Sequence, residues 1–133
     1  MATTSSDAQP SVERRVGEAA VRAWHVAGEE SQLVPWASLA EHLGNTVAAT
    51  ALGPVILVPR LRHAECVLAT AEPWMSARHA LRALVDQGWV VNALVPLGEL
   101  GTAHEVFRGL PLRLQGWWER DDRVLAFTDP EVA

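Results

Sequence analysis

Apolar residues recur at helical spacing near the start of the chain. Between Val12 and Val26 they fall every three or four positions, with charged residues mostly on the opposite face. Ser11 provides an N-cap oxygen, and Gly28 suits the left-handed conformation that often ends a helix. We therefore predict a first amphipathic helix here. Residues 1–10 are small and polar, and we expect them to form a disordered tail.

The next segment also has helical features. Pro35 suits the first turn of a second helix that Gly44 would end, and residues 46–52 form a third, short apolar run. Residues 11–53 are too short to bury a stable hydrophobic core as a separate domain. We predict that this helical part packs on the rest of the chain.

From residue 54 onward, short apolar runs alternate with helical segments. Residues 54–60 (PVILVPR) and 89–95 (WVVNALV) are short runs rich in Val, which is typical of buried strands. The other segments are predicted as helices at residues 62–71, 73–88 and 97–108, and as hairpin strands at residues 112–118 and 123–128.

This order of elements predicts an α/β fold. The order β-α-β-α-β-β implies parallel strands joined by right-handed crossovers. We therefore expect residues 11–133 to form a single small α/β domain. Its N-terminal helices, within residues 11–53, would pack on a mostly parallel four-stranded sheet within residues 54–133. The C-terminal hairpin would supply an antiparallel edge.

The composition removes several reaction classes. All eleven basic residues are Arg, and the chain has no Lys, no Tyr and a single Cys. Without Lys there is no side-chain amine for a Schiff base and no P-loop lysine for nucleotide phosphates. Without Tyr there is no phenol for acid–base chemistry. Cys66 on its own permits no internal disulfide.

The charge balance argues against two kinds of partner. The formal net charge of −5 opposes a dominant electrostatic attraction to nucleic acid or to anionic membranes. No apolar stretch approaches the roughly 18 residues that a membrane-spanning helix needs. The N-terminus lacks the basic and apolar regions of a signal peptide. We expect a soluble, cytoplasmic protein without a membrane partner.

The first candidate site is a crevice at the carboxyl ends of the predicted parallel strands, where open α/β sheets bind ligands. Two arginines and a histidine follow the first strand, and acidic, hydroxyl and imidazole groups follow the second. These groups predict a site for a small anionic ligand. The candidate ligand-binding residues are Arg60, Arg62, His63, Glu99, Thr102 and His104. In the alternative interpretation, the two arginines only solvate a loop and pair with Glu65 or Glu99.

No catalytic, metal or cofactor site is predicted from motifs. The chain has neither a GxGxxG dinucleotide loop nor a GxSxG nucleophile turn. His63 and Glu65 match half of the zinc deaminase signature, but its Pro-Cys-x-x-Cys half is absent. His63 and Cys66 would share a face of the predicted helix, which leaves a Cys–His pair as an alternative.

Residues 35–52 resemble the spacing of a helix-turn-helix. The second of these predicted helices carries no Arg, Lys or Gln, although a recognition helix needs side chains that read base edges. Two short packed helices are the simpler interpretation. DNA binding through this segment is therefore an alternative function, and nucleic acid is not the expected partner.

The predicted hairpin carries adjacent tryptophans, Trp117 and Trp118, which must point to opposite faces of a strand. A tryptophan on the outer face, flanked by arginines, is a typical contact point between proteins. The candidate interface residues are Arg113, Trp117, Trp118, Arg120 and Arg123. In the alternative interpretation, both tryptophans are covered within the chain.

Three functions follow from these features. The leading expectation is a non-catalytic interaction or regulatory protein that contacts another protein or a second copy of itself through the hairpin. The first alternative is a binder of, or an enzyme acting on, a small anionic ligand at the strand ends. The second alternative is a DNA-binding regulator that uses residues 35–52.

Overall fold

The first helix, α1 (Val12–Val26), lies where the amphipathic pattern predicts it. The Ser11 side chain caps its first turn by accepting a hydrogen bond from the backbone N–H of Arg14 at 3.2 Å. Gly28 follows the helix with a φ of 85°, a left-handed conformation that suits glycine. The computed structural model describes residues 11–42, 52–69 and 74–133.

Short strands and helices make up the rest of the described chain. The strands are β1 (Gln32–Val34), β2 (Leu52–Val58), β3 (His63–Leu68), β4 (Val90–Pro96), β5 (Arg113–Glu119), β6 (Leu125–Phe127) and β7 (Glu131–Val132). The further helices are α2 (Trp36–His42), α3 (Met75–Asp86) and α4 (Leu100–Val106), with short 3₁₀ turns at Pro59–Leu61 and Leu97–Glu99.

The strands form one mixed sheet that follows the chain order from β1 to β6. β1, β2 and β3 pair antiparallel, whereas β3, β4 and β5 pair parallel. β6 and β7 both pair antiparallel with β5, at different parts of its length. The C-terminal segment therefore covers the edge of β5 that β4 leaves open.

Helices cover both faces of this sheet. On one face, α2, α3 and α4 form the larger core cluster, in which Leu81 and Phe107 are fully buried. On the opposite face, α1 packs against Ile56, Val67 and Leu94. The described chain is a small single-domain α/β fold with three layers.

The expectation of a mostly parallel four-stranded sheet is not confirmed, because the sheet is mixed and has more strands. The main difference lies at residues 62–69, the described part of the helix expected at residues 62–71. The turn at Pro59–Leu61 and the left-handed Arg62 (φ 48°) reverse the chain, so β3 runs back beside β2. The side chains of β3 then alternate between the two faces, as in any strand.

The predicted division of the domain also differs from the structure. The segment expected to be helical, residues 11–53, contributes β1 and the beginning of β2 to the sheet. Residue 52, which was expected to end a helix, begins β2. The expected tail at residues 1–10 and most of the helix expected at residues 46–52 lie outside the described residues.

None of the helices within residues 11–42, 52–69 and 74–133 combines the length and the apolar content that a bilayer span needs.

The close contact of α1 with the sheet gives a first prediction. A Cβ atom at Gly17 would lie 2.7 Å from Leu33 Cδ1 and 3.3 Å from Pro54 Cγ. We expect Gly17→Val to lower the free energy of unfolding by about 1–3 kcal/mol, the usual cost of overpacking. Urea denaturation followed by circular dichroism measures this loss. Arg22→Val, at an exposed position of the same helix, is the control, and equal midpoints for the two variants would contradict the prediction.

Candidate functional site

A cavity of about 490 Å³ lies between the C-terminal half of α1 and the amino ends of the three parallel strands. Its volume falls within the range of small-molecule sites. The lining residues are Ala20, Ala23, Trp24, Ala27, His63, Glu65, Val90, Asn92, Leu94, Arg113, Gln115, Phe127 and Pro130.

The cavity exists because α1 is packed closely at one end and presents small side chains at the other. Gly17 brings the first half of the helix into contact with Leu33 and Pro54. Further along, the residues at the lining positions spaced three and four apart are Ala20, Ala23 and Ala27. Alanine leaves space above the sheet that larger apolar residues would fill.

Polar side chains form the floor of the cavity, where neighbouring strands of this face would ordinarily carry apolar ones. Glu65 of β3 lies opposite Asn92 of β4 in the parallel register, and Gln115 follows on β5. Asn92 Nδ2 donates to Glu65 Oε2 at 3.1 Å and to Gln115 Oε1 at 2.7 Å. Gln115 Nε2 donates in turn to the carbonyl oxygen of Thr128 at 2.6 Å. The hydrogen bonds therefore continue across three strands to the C-terminal segment.

The orientation of these amides follows from their neighbours. The Thr128 carbonyl can only accept, so Gln115 must turn its NH₂ group towards it and its oxygen towards Asn92. Asn92 therefore uses both of its N–H groups, and its Oδ1 atom has no hydrogen-bond partner among the described residues. The Asn92 side chain lines the cavity and the residue is only 2% exposed. An unpartnered buried acceptor of this kind is costly and uncommon.

Glu65 is a carboxylate in a nearly dry environment, since the residue is only 7% exposed. Burial opposes its ionisation, but hydrogen bonds from His63, Trp24 and Asn92 favour the charged form and together leave the pKa of Glu65 below its ordinary value. Trp24 Nε1 donates to Oε1 at 3.0 Å, and His63 Nε2 lies 3.3 Å from Oε2. Because an ionised carboxylate only accepts, His63 carries its proton on Nε2.

Among the predicted ligand residues, only His63 lines this cavity. Arg60 pairs with Glu29: its Nε donates a hydrogen bond to Glu29 Oε1 at 2.8 Å. Arg62 donates to the carbonyl oxygen of Gln87 at 2.9 Å and stacks over the ring of Trp89. Both guanidinium groups therefore have partners within the loop region.

The structure does not bring the two halves of the predicted anion site together. Because β2 and β3 are antiparallel, Arg60 and Arg62 lie at the amino ends of the parallel strands. Glu99 and Thr102 follow the carboxyl end of β4, which is about 20 Å away along the strand. His104 lies on α4, in the helix layer opposite α1, and its Nε2 is 2.9 Å from Glu131 Oε1.

The predicted interface residues divide between the two ends of β5. Arg113 begins the strand and lines the cavity, whereas Arg120 and Arg123 lie exposed at the β5–β6 turn, roughly 20 Å away. Trp117 is 9% exposed and belongs to the α1 core cluster, while Trp118 on the other face is 37% exposed. The two tryptophans thus differ in environment, as their alternation along a strand requires.

Two chemical alternatives are absent from this region. Cys66 points into the larger core cluster, on the opposite face of β3 from His63, and burial raises the pKa of its thiol. Within the described residues, no group of three or more His, Cys, Asp or Glu side chains is placed to hold a metal ion.

Sequence reasoning missed Glu65, Asn92 and Gln115 as site residues. A signal was present, because each is a polar residue with apolar neighbours inside a strand: HAECVL, VVNALVP and RLQGWWE. A buried polar residue in mid-strand needs a partner, and neighbouring strands are the nearest source of one. Joining the three into one site requires the strand register, which the sequence does not state.

The lowered pKa of Glu65 gives the second prediction. A group whose folded-state pKa is depressed contributes stability above its unfolded pKa and loses it as the pH falls through the folded value. We expect the free energy of unfolding to decline as the pH falls below 4.5, the ordinary glutamate value. In Glu65→Gln this part of the decline should be missing. Denaturation at a series of pH values measures it, with the exposed Glu105→Gln as control, and parallel pH profiles for wild type and Glu65→Gln would refute it.

Comparison with known proteins found no match among protein-family models, curated proteins or solved structures.

Proposed function

We propose that this chain is a non-catalytic binding protein that holds a small molecule in the cavity beneath α1. The observation that carries this proposal is a cavity of about 490 Å³ whose floor contains a buried carboxylate and an amide oxygen without a partner. Polar groups converging in a mostly apolar cavity are typical of small-molecule sites. A ligand that donates to Asn92 Oδ1 would remove the cost of leaving that atom unpaired.

The groups in the cavity favour binding over covalent chemistry. None of the described lining residues is Ser, Thr, Cys or Lys, so this part of the cavity wall offers none of the commonest side-chain nucleophiles. Glu65 is also poorly suited to proton transfer, because a general base works best with a pKa near the working pH and that of Glu65 is lowered. Its hydrogen bonds instead hold it as a fixed negative charge.

The anionic-ligand hypothesis has less support than a site under α1. The arginines on which it rests, Arg60 and Arg62, already have partners in Glu29 and Gln87. The DNA-binding alternative depends on residues 35–52, of which residues 43–51 lie outside the described chain. No contact within the described residues favours it.

The third prediction tests whether the cavity is a binding site. The probes are single-ring aromatic and cyclohexyl compounds that carry an amine, alcohol, amide or carboxylate group. We expect some of them to shift the NMR signal of the Trp24 indole N–H, which lies in the cavity wall and is assigned with Trp24→Phe. Ala23→Phe should abolish these shifts, because the new ring occupies the space that a ligand needs.

The matched control for the filled cavity is His79→Phe, on an exposed position of α3 in the opposite helix layer. Ala23→Phe should keep its fold, because Ala23 is an exposed position of α1 and substitutions at such positions change stability little. Shifts that persist in Ala23→Phe, or a complete lack of shifts in the wild-type protein, would contradict the proposed function.

Self-association through the β5–β6 hairpin is a second proposed function, in line with the expectation from the sequence. One observation favours it: Trp118 is 37% exposed and Leu97 is 43% exposed, at the carboxyl ends of adjacent strands. Exposed tryptophan is enriched where proteins meet. The proposed occupant is a second copy of this chain.

The fourth prediction concerns this hairpin. We expect sedimentation velocity to detect a species heavier than one chain at high protein concentration, and Trp118→Ala to shift it to the monomer. Because Trp118 is not part of either core cluster, the variant should keep its fold. Met75→Ala, which removes another exposed apolar side chain, is the control. A wild-type protein that stays monomeric at every concentration would exclude self-association.

A further inference from the structure

The cavity floor has more hydrogen-bond acceptors than donors. The Glu65 carboxylate offers about four acceptor positions, of which Trp24, His63 and Asn92 fill three. Asn92 Oδ1 accepts no hydrogen bond within the described chain. Both N–H groups of Asn92 and the indole N–H of Trp24 already have partners. A group that contacts Asn92 Oδ1 and the remaining acceptor position of Glu65 must donate hydrogen bonds.

The charge of the floor points to the same kind of group. Glu65 is a buried carboxylate, and its ionic partner within the described residues is His63 alone. The Arg113 guanidinium also lines the cavity but forms no salt bridge with this carboxylate within the described residues. Buried charges are ordinarily paired with an opposite charge. A ligand cation placed directly at Glu65 would provide such a partner.

The walls of the cavity specify the remainder of the ligand. Above the floor they are mainly apolar, with Ala20, Ala23 and Ala27 on one side and Val90, Leu94 and Phe127 around them. The aromatic rings of Trp24 and Phe127 are also surfaces that attract cations. A hydrated ion or a sugar presents mainly polar surface, which would not match these apolar walls.

We propose that the ligand is a small primary ammonium compound with an aromatic or aliphatic body, bound through Glu65 and Asn92. This inference rests on the proposed function of the cavity as a small-molecule site. An ammonium group has three N–H donors, no acceptor and a positive charge at neutral pH, as the floor requires. Its apolar body lies against α1 and Phe127. Arg113, at the first position of β5, lines the same cavity and repels positive charge, so the single ammonium group is placed at Glu65 and the ligand carries no second cationic group.

The experiment compares three compounds of nearly equal shape with the wild-type protein. Phenethylamine is the cation, phenethyl alcohol is the neutral counterpart and phenylacetate is the anion. The Trp24 indole N–H signal and isothermal titration calorimetry report their affinities. We expect phenethylamine to bind at least about tenfold more tightly than the alcohol, because its hydrogen bonds to the carboxylate are charge-assisted, and phenylacetate to bind most weakly.

Two variants identify the recognising groups. Glu65→Gln should reduce the affinity for phenethylamine by about tenfold or more and that for phenethyl alcohol much less, because it removes the charge and replaces one acceptor oxygen by an NH₂ group. Asn92→Ala should weaken phenethylamine several-fold through loss of the Oδ1 acceptor. Glu105→Gln, on an exposed position of α4, is the matched control and should bind as wild type does. The comparison of the three compounds in the wild-type protein decides the question even if Glu65→Gln does not fold.

Each outcome separates this inference from the proposed function. If the alcohol binds as tightly as the amine, or if Glu65→Gln binds both equally to wild type, the ammonium assignment is overturned while the cavity remains a binding site. If none of the three binds but other fragments shift the Trp24 signal, the ammonium assignment is likewise overturned and the cavity remains a binding site. If no compound in either set shifts that signal, the inference and the proposed function are both overturned.

Discussion

One buried carboxylate, Glu65, needs hydrogen-bond donors, and these come from both the sheet and the α1 layer packed on it. Glu65 is nearly excluded from water, and its ionised form is stabilised by donors from three separate elements. Trp24 comes from α1, His63 from β3 itself and Asn92 from β4. A slip of one residue in β3 would turn Glu65 into the apolar cluster on the other face. The same contact therefore fixes the strand register and the position of the C-terminal half of α1.

Some of the fold could be predicted from the sequence because long periodic segments carry a strong signal. α1, β4 and the β5–β6 hairpin lie where the apolar patterns place them. The helix expected at residues 62–71 was wrong because six apolar-rich residues fit both a helical and an alternating pattern. The left-handed conformation of Arg62, a residue type that seldom adopts it, left no turn signal in the sequence.

That single error also explains why the predicted site and the cavity differ. The rule that ligands bind at carboxyl strand ends was applied to a first strand that proves to be antiparallel to its neighbour. Arg60 and Arg62 consequently lie at the opposite end of the sheet from Glu99. His63 and Glu65 share a face only because the segment is a strand, in which residues two apart point the same way.

The side-chain amides of Asn92 and Gln115 hold each other in a fixed orientation. Asn92 is held at both ends, by the Glu65 carboxylate on one side and, through Gln115, by the Thr128 carbonyl on the other. Neither amide can rotate without placing two oxygens against each other. The Thr128 backbone carbonyl, beyond β5, thus sets the orientation of Asn92 through Gln115. Under the proposed function, a floor fixed in this way would need little reorganisation on binding, and selectivity would reside in the shape and charge of the ligand.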